Sequence, residues 1–182
     1  PLALLDYEDV NYWDTMKTIL EWANRHVQST LYLCWAAHAA MYHFHGIQRK
    51  LREEKLSGVF HHRVNDPLNE LLRGFDSEFY APHSRYGYID PADYNSIPGL
   101  SVIAESEEAG AYVVASDDKR MVFITGHPEY DPETLNDEYV RDLNADLEPK
   151  IPCNYYPDDD PGKPPVVRWR AHGSLLFTNW IN

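Results

Sequence analysis

A cysteine that follows an apolar segment is the first residue of the sequence that could do covalent chemistry. Cys34 comes after the β-branched and aromatic residues 29–33 and before the helix-forming residues 36–44. A thiolate is the reactive form of cysteine, and the amide donors and positive dipole end of a helix N-terminus favour it. The placement predicts a nucleophile elbow, with the Cys34 sulfur at the carboxyl edge of a sheet. The usual flanking glycines are absent, so a buried packing role for Cys34 stays open.

A histidine with an acid two residues later is the second candidate. His127-Pro128-Glu129 follows the apolar segment 121–125 through Gly126. A base just beyond a strand end, with a carboxylate on a proline-stiffened turn, suits a Cys/His/acid group. The tripeptide alone is also typical of a turn histidine beside a solvent-facing glutamate. Because the ends of parallel strands meet at one edge, we expect Glu129 to orient one nitrogen of His127 while the other faces Cys34.

Other polar residues give weaker signals. His61 and His62 are neighbours in a predicted strand, so they point to opposite faces and cannot share a metal ion. The sequence therefore predicts no metal site. Residues 82–85 are expected at a strand end, where they could line a pocket or simply form a turn. Lys55 and Arg141 could form ion pairs with a carboxylate in this acidic chain, although such cations are commonly solvated.

The charge balance disfavours whole classes of partner. The 182 residues include 16 lysines and arginines against 29 acids, a formal net charge of −13. This charge repels phosphate backbones and anionic lipids, so we expect residues 168–170 (Arg-Trp-Arg) to pack at a surface or interface and not to stack on a base.

Two cysteines are too few for a disulfide scaffold, and no apolar run approaches the ~20 residues of a membrane span. We expect a soluble, cytoplasmic protein with no nucleic-acid or membrane partner.

The elements that must position these residues alternate between helix and strand. The predicted helices are 9–27, 36–44 (ending at Gly46), 132–147 and 172–182. The predicted strands are 29–34, 57–64, 78–81, 100–104, 111–116 and 121–125. The helix at 132–147 carries an apolar stripe that includes Leu143 and Leu147, and Phe177 and Trp180 are expected to be exposed. This alternation predicts one compact α/β sandwich.

Six strings in this sequence, taken together and in order, resemble the homoserine O-succinyltransferase family. They are 29–36 (which contains STL and LCWA and counts as one string), EKLSGV at 54–59, APHSRY at 81–86, TGHPEYD at 125–131, RWR at 168–170 and LFTNW at 176–180. The resemblance implies an enzyme that acylates homoserine in methionine biosynthesis. It also implies a class I glutamine amidotransferase-like, flavodoxin-type three-layer α/β sandwich. Residues 1–182 would form a single acyltransferase domain, the C-terminal two-thirds of the family's chain, with the N-terminal part missing.

The same resemblance implies roles for particular residues. Cys34 matches the family cysteine that forms an acyl-thioester, His127 matches the catalytic base and Glu129 its acidic partner. Three further residues match positions that contact substrate, namely Lys55, Ser84 and Arg141. His38 departs from the pattern, because many relatives carry glutamine at this position.

A position near the start bears on the choice of acyl donor. The family residue that matches Ala3 is glutamate in enzymes that prefer acetyl-CoA and glycine in those that prefer succinyl-CoA. Because a small neutral side chain leaves room for a succinyl tail, we expect succinyl-CoA, with acetyl-CoA open. The oxyanion would lie near the backbone amides of Trp35 and residues 2–3.

The resulting expectation is a two-step succinyl transfer from succinyl-CoA to L-homoserine. Acyl-CoA is then a substrate, no cofactor is needed, and homologous enzymes form homodimers. Three alternatives stay open: an O-acetyltransferase that acts on homoserine or serine, an amidase or glutaminase-like hydrolase of the same fold, and a non-catalytic binding domain in which Cys34 only packs.

Overall fold

The computed structural model describes residues 4–182 as five helices and six strands. The helices are α1 (Trp13–His26), α2 (Trp35–His45), α3 (Pro91–Asn95), α4 (Thr134–Asn144) and α5 (Arg170–Ile181). The strands are β1 (Thr30–Leu33), β2 (Lys50–Val64), β3 (Glu78–Tyr88), β4 (Leu100–Ser106), β5 (Gly110–Ser116) and β6 (Met121–Ile124). No helix in residues 4–182 is long and apolar enough to cross a membrane.

The six strands form one mixed sheet in the order β1-β6-β5-β4-β2-β3. Strands β1 and β6 run parallel, with Leu33 opposite Ile124, and the other neighbouring pairs are antiparallel. Leu176 of α5 packs on one face of the sheet, whereas Leu20 of α1 and Met41 of α2 pack on the other. Helices therefore cover both faces, which confirms the predicted three-layer α/β sandwich.

Helix α2 follows β1 directly and lies close against the sheet. Ala37 and Ala40 are fully buried along it, and their small side chains allow close approach to the strands. The helix ends at Gly46, whose φ of 69° is the left-handed conformation of a glycine C-cap. The predicted end of this helix at Gly46 is confirmed.

Strands β2 and β3 are much longer than the sequence predicts. The sequence ends the second of them at residue 81, but β3 continues to Tyr88 and pairs along its length with β2. The prediction that residues 82–85 lie at a strand end is therefore wrong. Pro82 is tolerated because β3 lies at the edge of the sheet, where a missing N–H leaves no neighbouring strand unpaired.

Two predicted surfaces also differ from the structure. Leu143 and Leu147 are exposed, and the buried face of α4 instead carries Leu135 and Asp142. At the other end of the chain, Trp180 is half-buried and its indole N–H donates to the Ser29 hydroxyl at 3.0 Å. Phe177 is likewise half-buried, so the expected exposed aromatic C-terminus is wrong.

Gly58 is a position where the fold requires glycine. Its φ is 147°, and a Cβ there would lie 2.6 Å from the backbone nitrogen of Cys153. We expect Gly58→Ala to lower the free energy of unfolding by about 2–4 kcal/mol, through this collision and the strained φ. Urea denaturation measures the loss. Gly110→Ala is the matched control, since its φ is also positive but no atom lies within 4 Å; an equal loss in both variants would contradict the collision.

Candidate active site

Cys34 occupies a strained junction between β1 and α2. Its φ of 48° and ψ of −110° fall in a region that non-glycine residues rarely adopt. The Cys34 N–H donates to the carbonyl of Ile124 at 2.7 Å, and its carbonyl accepts from the His38 N–H at 3.2 Å. A sharp strand-to-helix turn of this kind lifts the side chain to the sheet edge, and Cys34 is only partly buried. The geometry is that of a nucleophile elbow without glycines.

His127 reaches the same edge because β6 is the parallel neighbour of β1. Its backbone N–H donates to the carbonyl of Pro82 at 2.9 Å, which fixes the chain just beyond β6. The Nδ1 atom lies 2.7 Å from Oε1 of Glu129, and the imidazole is 15% exposed. The structure thus brings Cys34, His127 and Glu129 together.

The proton affinity of His127 reflects both partners. Burial alone lowers the pKa of the imidazole, but hydrogen bonding to Cys34 and to Glu129 raises it, and the negative charge of both groups adds to the rise. The pKa of His127 is raised to about 9 as a result. At neutral pH the His127 ring therefore holds a proton beside the Cys34 sulfur.

Tyr130 connects this group to a second polar cluster. Its ring stacks on His127 with a centroid separation of 4.1 Å, and its hydroxyl donates to Glu138 at 2.7 Å. The Trp169 indole N–H donates to the Tyr130 carbonyl at 2.9 Å, and Trp169 is 1% exposed. The expectation that residues 168–170 pack at a surface or interface is therefore wrong for Trp169, which is buried in an apolar cluster with Leu135 and Tyr155.

Glu138 is the centre of this second cluster. Lys55 donates to it at 2.9 Å, and the hydroxyls of Ser84 and Tyr130 donate to it as well. Burial raises the pKa of the Glu138 carboxyl, but the hydrogen bonds from Ser84, Lys55 and Tyr130 lower it more, so the pKa lies below its usual range. The Glu138 carboxylate is therefore charged at neutral pH. We call Lys55, Ser84, Glu138, Arg141 and Asp142 the α4 cluster.

The structure places the three predicted substrate contacts around two acids of helix α4. Lys55 also donates to Asp142 at 3.1 Å, and Arg141 donates to Asp142 through Nε at 2.8 Å. The Arg141 side chain is 65% exposed, so its guanidinium faces solvent. A cavity of about 210 Å³ adjoins the cluster and is lined in part by Lys55 and Asp142. The cluster therefore combines two cations with two carboxylates, and its Lys55 and Asp142 border the cavity.

Sequence reasoning missed Glu138 and Asp142. Both follow Leu135 at helical spacing, three and seven residues later, and so belong to the buried face of α4. Two acidic residues on the same face of the helix as the buried Leu135 could have predicted that a cation packs against that face. Ala3 and the predicted contribution of residues 2–3 to an oxyanion site lie outside the described residues. The Trp35 N–H is at the first position of α2, where helix amides lack internal partners.

The fold is similar to that of solved glutamine amidotransferases, which are also α/β proteins. A glutamine amidotransferase of Thermotoga maritima superposes with a TM-score of 0.67, at 12% identity, over 97% of this chain and 70% of that one. A glutamine amidotransferase of Methylobacillus flagellatus gives 0.66 at 16% identity, over 100% of this chain and 72% of that one. At such identities the likeness shows the fold alone.

Sequence comparison identifies the family within this class. The family model "Homoserine O-succinyltransferase" matches residues 1–182, and the chain belongs to this family. Homoserine O-succinyltransferases of Alteromonas mediterranea, Pseudoalteromonas atlantica and Vibrio vulnificus are 72%, 70% and 54% identical to it over all 182 residues. The chain spans 58–59% of the length of these relatives.

Proposed function

We propose that the protein is a homoserine O-succinyltransferase that carries the succinyl group on Cys34. The observation that supports this most directly is the pairing of Cys34, at the strained start of α2, with an imidazole whose pKa is raised to about 9. Membership of the family and 72% identity to the Alteromonas mediterranea enzyme support the reaction class. We propose further that the protein acts in the cytoplasm, without a cofactor, as a homodimer.

The first half-reaction forms the acyl-enzyme. His127 holds the proton of Cys34, and the thiolate attacks the thioester carbonyl of succinyl-CoA. The oxyanion of the tetrahedral intermediate accepts a hydrogen bond from the Trp35 N–H at the start of α2. The carbon–sulfur bond to CoA then breaks, and the leaving thiolate takes the proton from His127. Free CoA and a neutral imidazole remain beside the acylated Cys34.

The second half-reaction delivers the acyl group to homoserine. The side-chain hydroxyl of homoserine gives its proton to His127 and attacks the acyl-thioester of Cys34. The carbon–sulfur bond breaks and the Cys34 thiolate is regenerated beside the imidazolium. O-succinylhomoserine leaves, and the His127 proton and the thiolate are again in their starting state.

The α4 cluster is suited to hold the acceptor. A free amino acid carries an ammonium and a carboxylate, so its binding site needs a negatively charged side chain and a positively charged side chain close together. Glu138 is a charged carboxylate joined through Tyr130 to His127, and Lys55 and Arg141 are the nearby cations. We propose that Lys55 and Arg141 bind the homoserine carboxylate, that Glu138 faces the ammonium, and that Ser84 lies beside the acceptor.

Glu138→Gln tests this placement. The amide keeps the shape but loses the charge, so we expect KM for homoserine to rise about tenfold or more, the effect of losing one charge-assisted hydrogen bond. The rate of acyl-enzyme formation, measured without acceptor, should stay within about twofold. Asp137→Asn removes an exposed acid from the same helix and is the matched control. An unchanged KM in Glu138→Gln would contradict the assignment.

Mass spectrometry after brief exposure to an acyl-CoA tests the proposal as a whole. We expect succinyl-CoA to add one succinyl group to the peptide that contains Cys34, and homoserine to remove it as O-succinylhomoserine. Acylation by acetyl-CoA in preference would instead support the acetyltransferase alternative. Release of free acid in the absence of any acceptor would support a hydrolase. No acylation of Cys34 by either donor would overturn the proposal.

A further inference from the structure

Tyr130 contacts both parts of the candidate active site, and the mechanism above gives it no role. Its ring stacks on the His127 imidazole, with a centroid separation of 4.1 Å and an interplanar angle of 19°. Its hydroxyl donates to Oε1 of Glu138 at 2.7 Å. One rigid side chain therefore lies between the proposed base and the proposed acceptor site.

The turn formed by residues 127–130 is held in place by its neighbours. The Trp169 indole N–H donates to the Tyr130 carbonyl at 2.9 Å. Gly173 of α5 packs so closely on this turn that a Cβ there would lie 2.5 Å from the carbonyl oxygen of Pro128. The backbone of the turn is therefore fixed, and the place from which the Tyr130 ring extends is fixed with it.

Glu129 and Tyr130 constrain different features of the His127 ring. Oε1 of Glu129 lies 2.7 Å from Nδ1, at the edge of the imidazole, which leaves the other nitrogen for the hydrogen bond with Cys34. The Tyr130 ring covers a face of the imidazole and so opposes a tilt of that ring. The π face of a tyrosine also attracts a cation. The Tyr130 ring therefore orients His127 and stabilises its protonated form.

The hydroxyl of Tyr130 acts on the carboxylate of Glu138. Oε1 of Glu138 accepts from Tyr130, whereas Oε2 accepts from Lys55 at 2.9 Å and from the Ser84 hydroxyl. Each oxygen of the carboxylate has its own donor, so the carboxylate is held in one orientation. Burial and the charge of Glu138 raise the pKa of Tyr130 far above its usual value, so the hydroxyl stays protonated and donates.

The titratable groups that surround the His127–Tyr130 pair and Glu138 come from several elements. They are Cys34 at the start of α2, Lys55 of β2, His83 of β3, Tyr112 of β5, Glu129 of the same turn, and Arg141 of α4. Burial lowers the pKa of His83 well below its usual value and raises that of Tyr112, so both stay neutral. Because Tyr130 is neutral too, its replacement by another neutral residue removes no charge from the surroundings of His127.

We propose that Tyr130 is a positioning residue that holds the base and the acceptor site in register: its ring orients His127, and its hydroxyl orients Glu138. The inference deepens the proposed function and rests on it, because the homoserine hydroxyl must reach His127 while the ammonium is held by Glu138. The hydroxyl and the ammonium of homoserine are joined by a short carbon chain. The reach of that chain must match the separation of His127 and Glu138, which Tyr130 helps to set.

Two substitutions separate the hydroxyl from the ring. Tyr130→Phe keeps the stack but loses the hydrogen bond, so we expect KM for homoserine to rise about fivefold, the effect of one hydrogen bond to a charged group. Acyl-enzyme formation from succinyl-CoA without acceptor should stay within about twofold. Tyr130→Leu loses the stack as well, so acyl-enzyme formation should also fall about tenfold.

Tyr156→Phe is the matched control for these variants. Its hydroxyl also donates at 2.7 Å to a side chain of α4, that of Asn136, and within residues 4–182 it has no hydrogen bond to His127 or Glu138. We expect both kinetic values to stay within about twofold of the wild type. An equal rise of KM in Tyr156→Phe and Tyr130→Phe, or equally slow acylation in Tyr130→Phe and Tyr130→Leu, would overturn the inference.

A double variant shows whether the hydroxyl acts through Glu138. In a Glu138→Gln background, Tyr130→Phe should raise KM for homoserine by less than about twofold, because the charge that the hydroxyl orients is already absent. The same fold-change in both backgrounds would show that the hydroxyl acts on the acceptor independently of Glu138, and it would overturn the positioning role.

NMR titration of the His127 ring tests the stack without any acyl-CoA. We expect Tyr130→Leu to lower the midpoint by about half a pH unit, because the imidazolium loses the π face, and Tyr130→Phe to stay within about two tenths of the wild type. A merely structural role would lower the urea midpoint and leave the His127 titration in place. A folded Tyr130→Leu with the wild-type midpoint therefore overturns the inference. Absence of acylation in the wild type contradicts the proposed function instead, whereas the titration judges Tyr130 by itself.

Discussion

Replacement of Cys34 by alanine is expected to abolish succinyl transfer, with a loss of at least about 10⁴-fold, in a protein that remains folded. The loss is large because no other described side chain holds the position between the start of α2 and His127. Alanine meets the same positive φ as the cysteine, so the backbone strain is unchanged and the fold should tolerate it. Release of CoA from succinyl-CoA, with and without homoserine, measures the effect.

Cys153→Ala is the matched control for this variant. Cys153 is an exposed cysteine whose backbone pairs with β2, and it contacts none of the reacting groups. We expect its activity to stay within about twofold of the wild type, as for a surface substitution. Turnover that survives in Cys34→Ala, or that is lost equally in Cys153→Ala, would remove the acyl-thioester from the mechanism.

The Cys/His/Glu group could be anticipated from local sequence because two short segments determine it. Cys34 follows one apolar strand and His127 follows another, and both strands end at the same edge when they are parallel neighbours. Glu129 is two residues from His127, so their contact needs no long-range information. The elbow was predicted from the place of Cys34 between a strand and a helix. Its positive φ was not predicted, because the glycines that usually flank such a turn are missing.

The α4 cluster was only partly predictable because its contacts are tertiary. Lys55 lies on strand β2, far from Glu138 in sequence, and no local sequence pattern near either residue predicts that they form an ion pair. Hydrophobicity along the helix predicts that Leu143 is on the buried face of α4. The buried face instead carries Asp142, whose charge is stabilised by Lys55. The length of strand β3 was underestimated for the same reason. Its tertiary pairing with β2 extends the strand past Pro82, which local sequence alone marks as a strand end.

His127→Gln is expected to reduce succinyl transfer by at least about 10³-fold, since both half-reactions route a proton through this ring. The variant should also change the pH dependence of folding. A pKa raised to about 9 in the folded state, against 6.5 in the unfolded chain, makes a stabilising contribution that is complete below pH 6.5. That contribution decreases as pH rises and is lost through about pH 9. The wild type should therefore lose stability across this window, and His127→Gln should lose less.

Urea denaturation between pH 6 and pH 9.5 measures this second effect, and single-turnover acylation measures the first. Glu129→Gln is the informative comparison, because it removes one of the two groups that raise the pKa of His127 but leaves the imidazole beside Cys34. We expect it to show an intermediate slope of stability against pH and a smaller loss of activity. A wild-type slope in His127→Gln would show that the ring does not carry the proton beside the sulfur, and the transfer would then need another base.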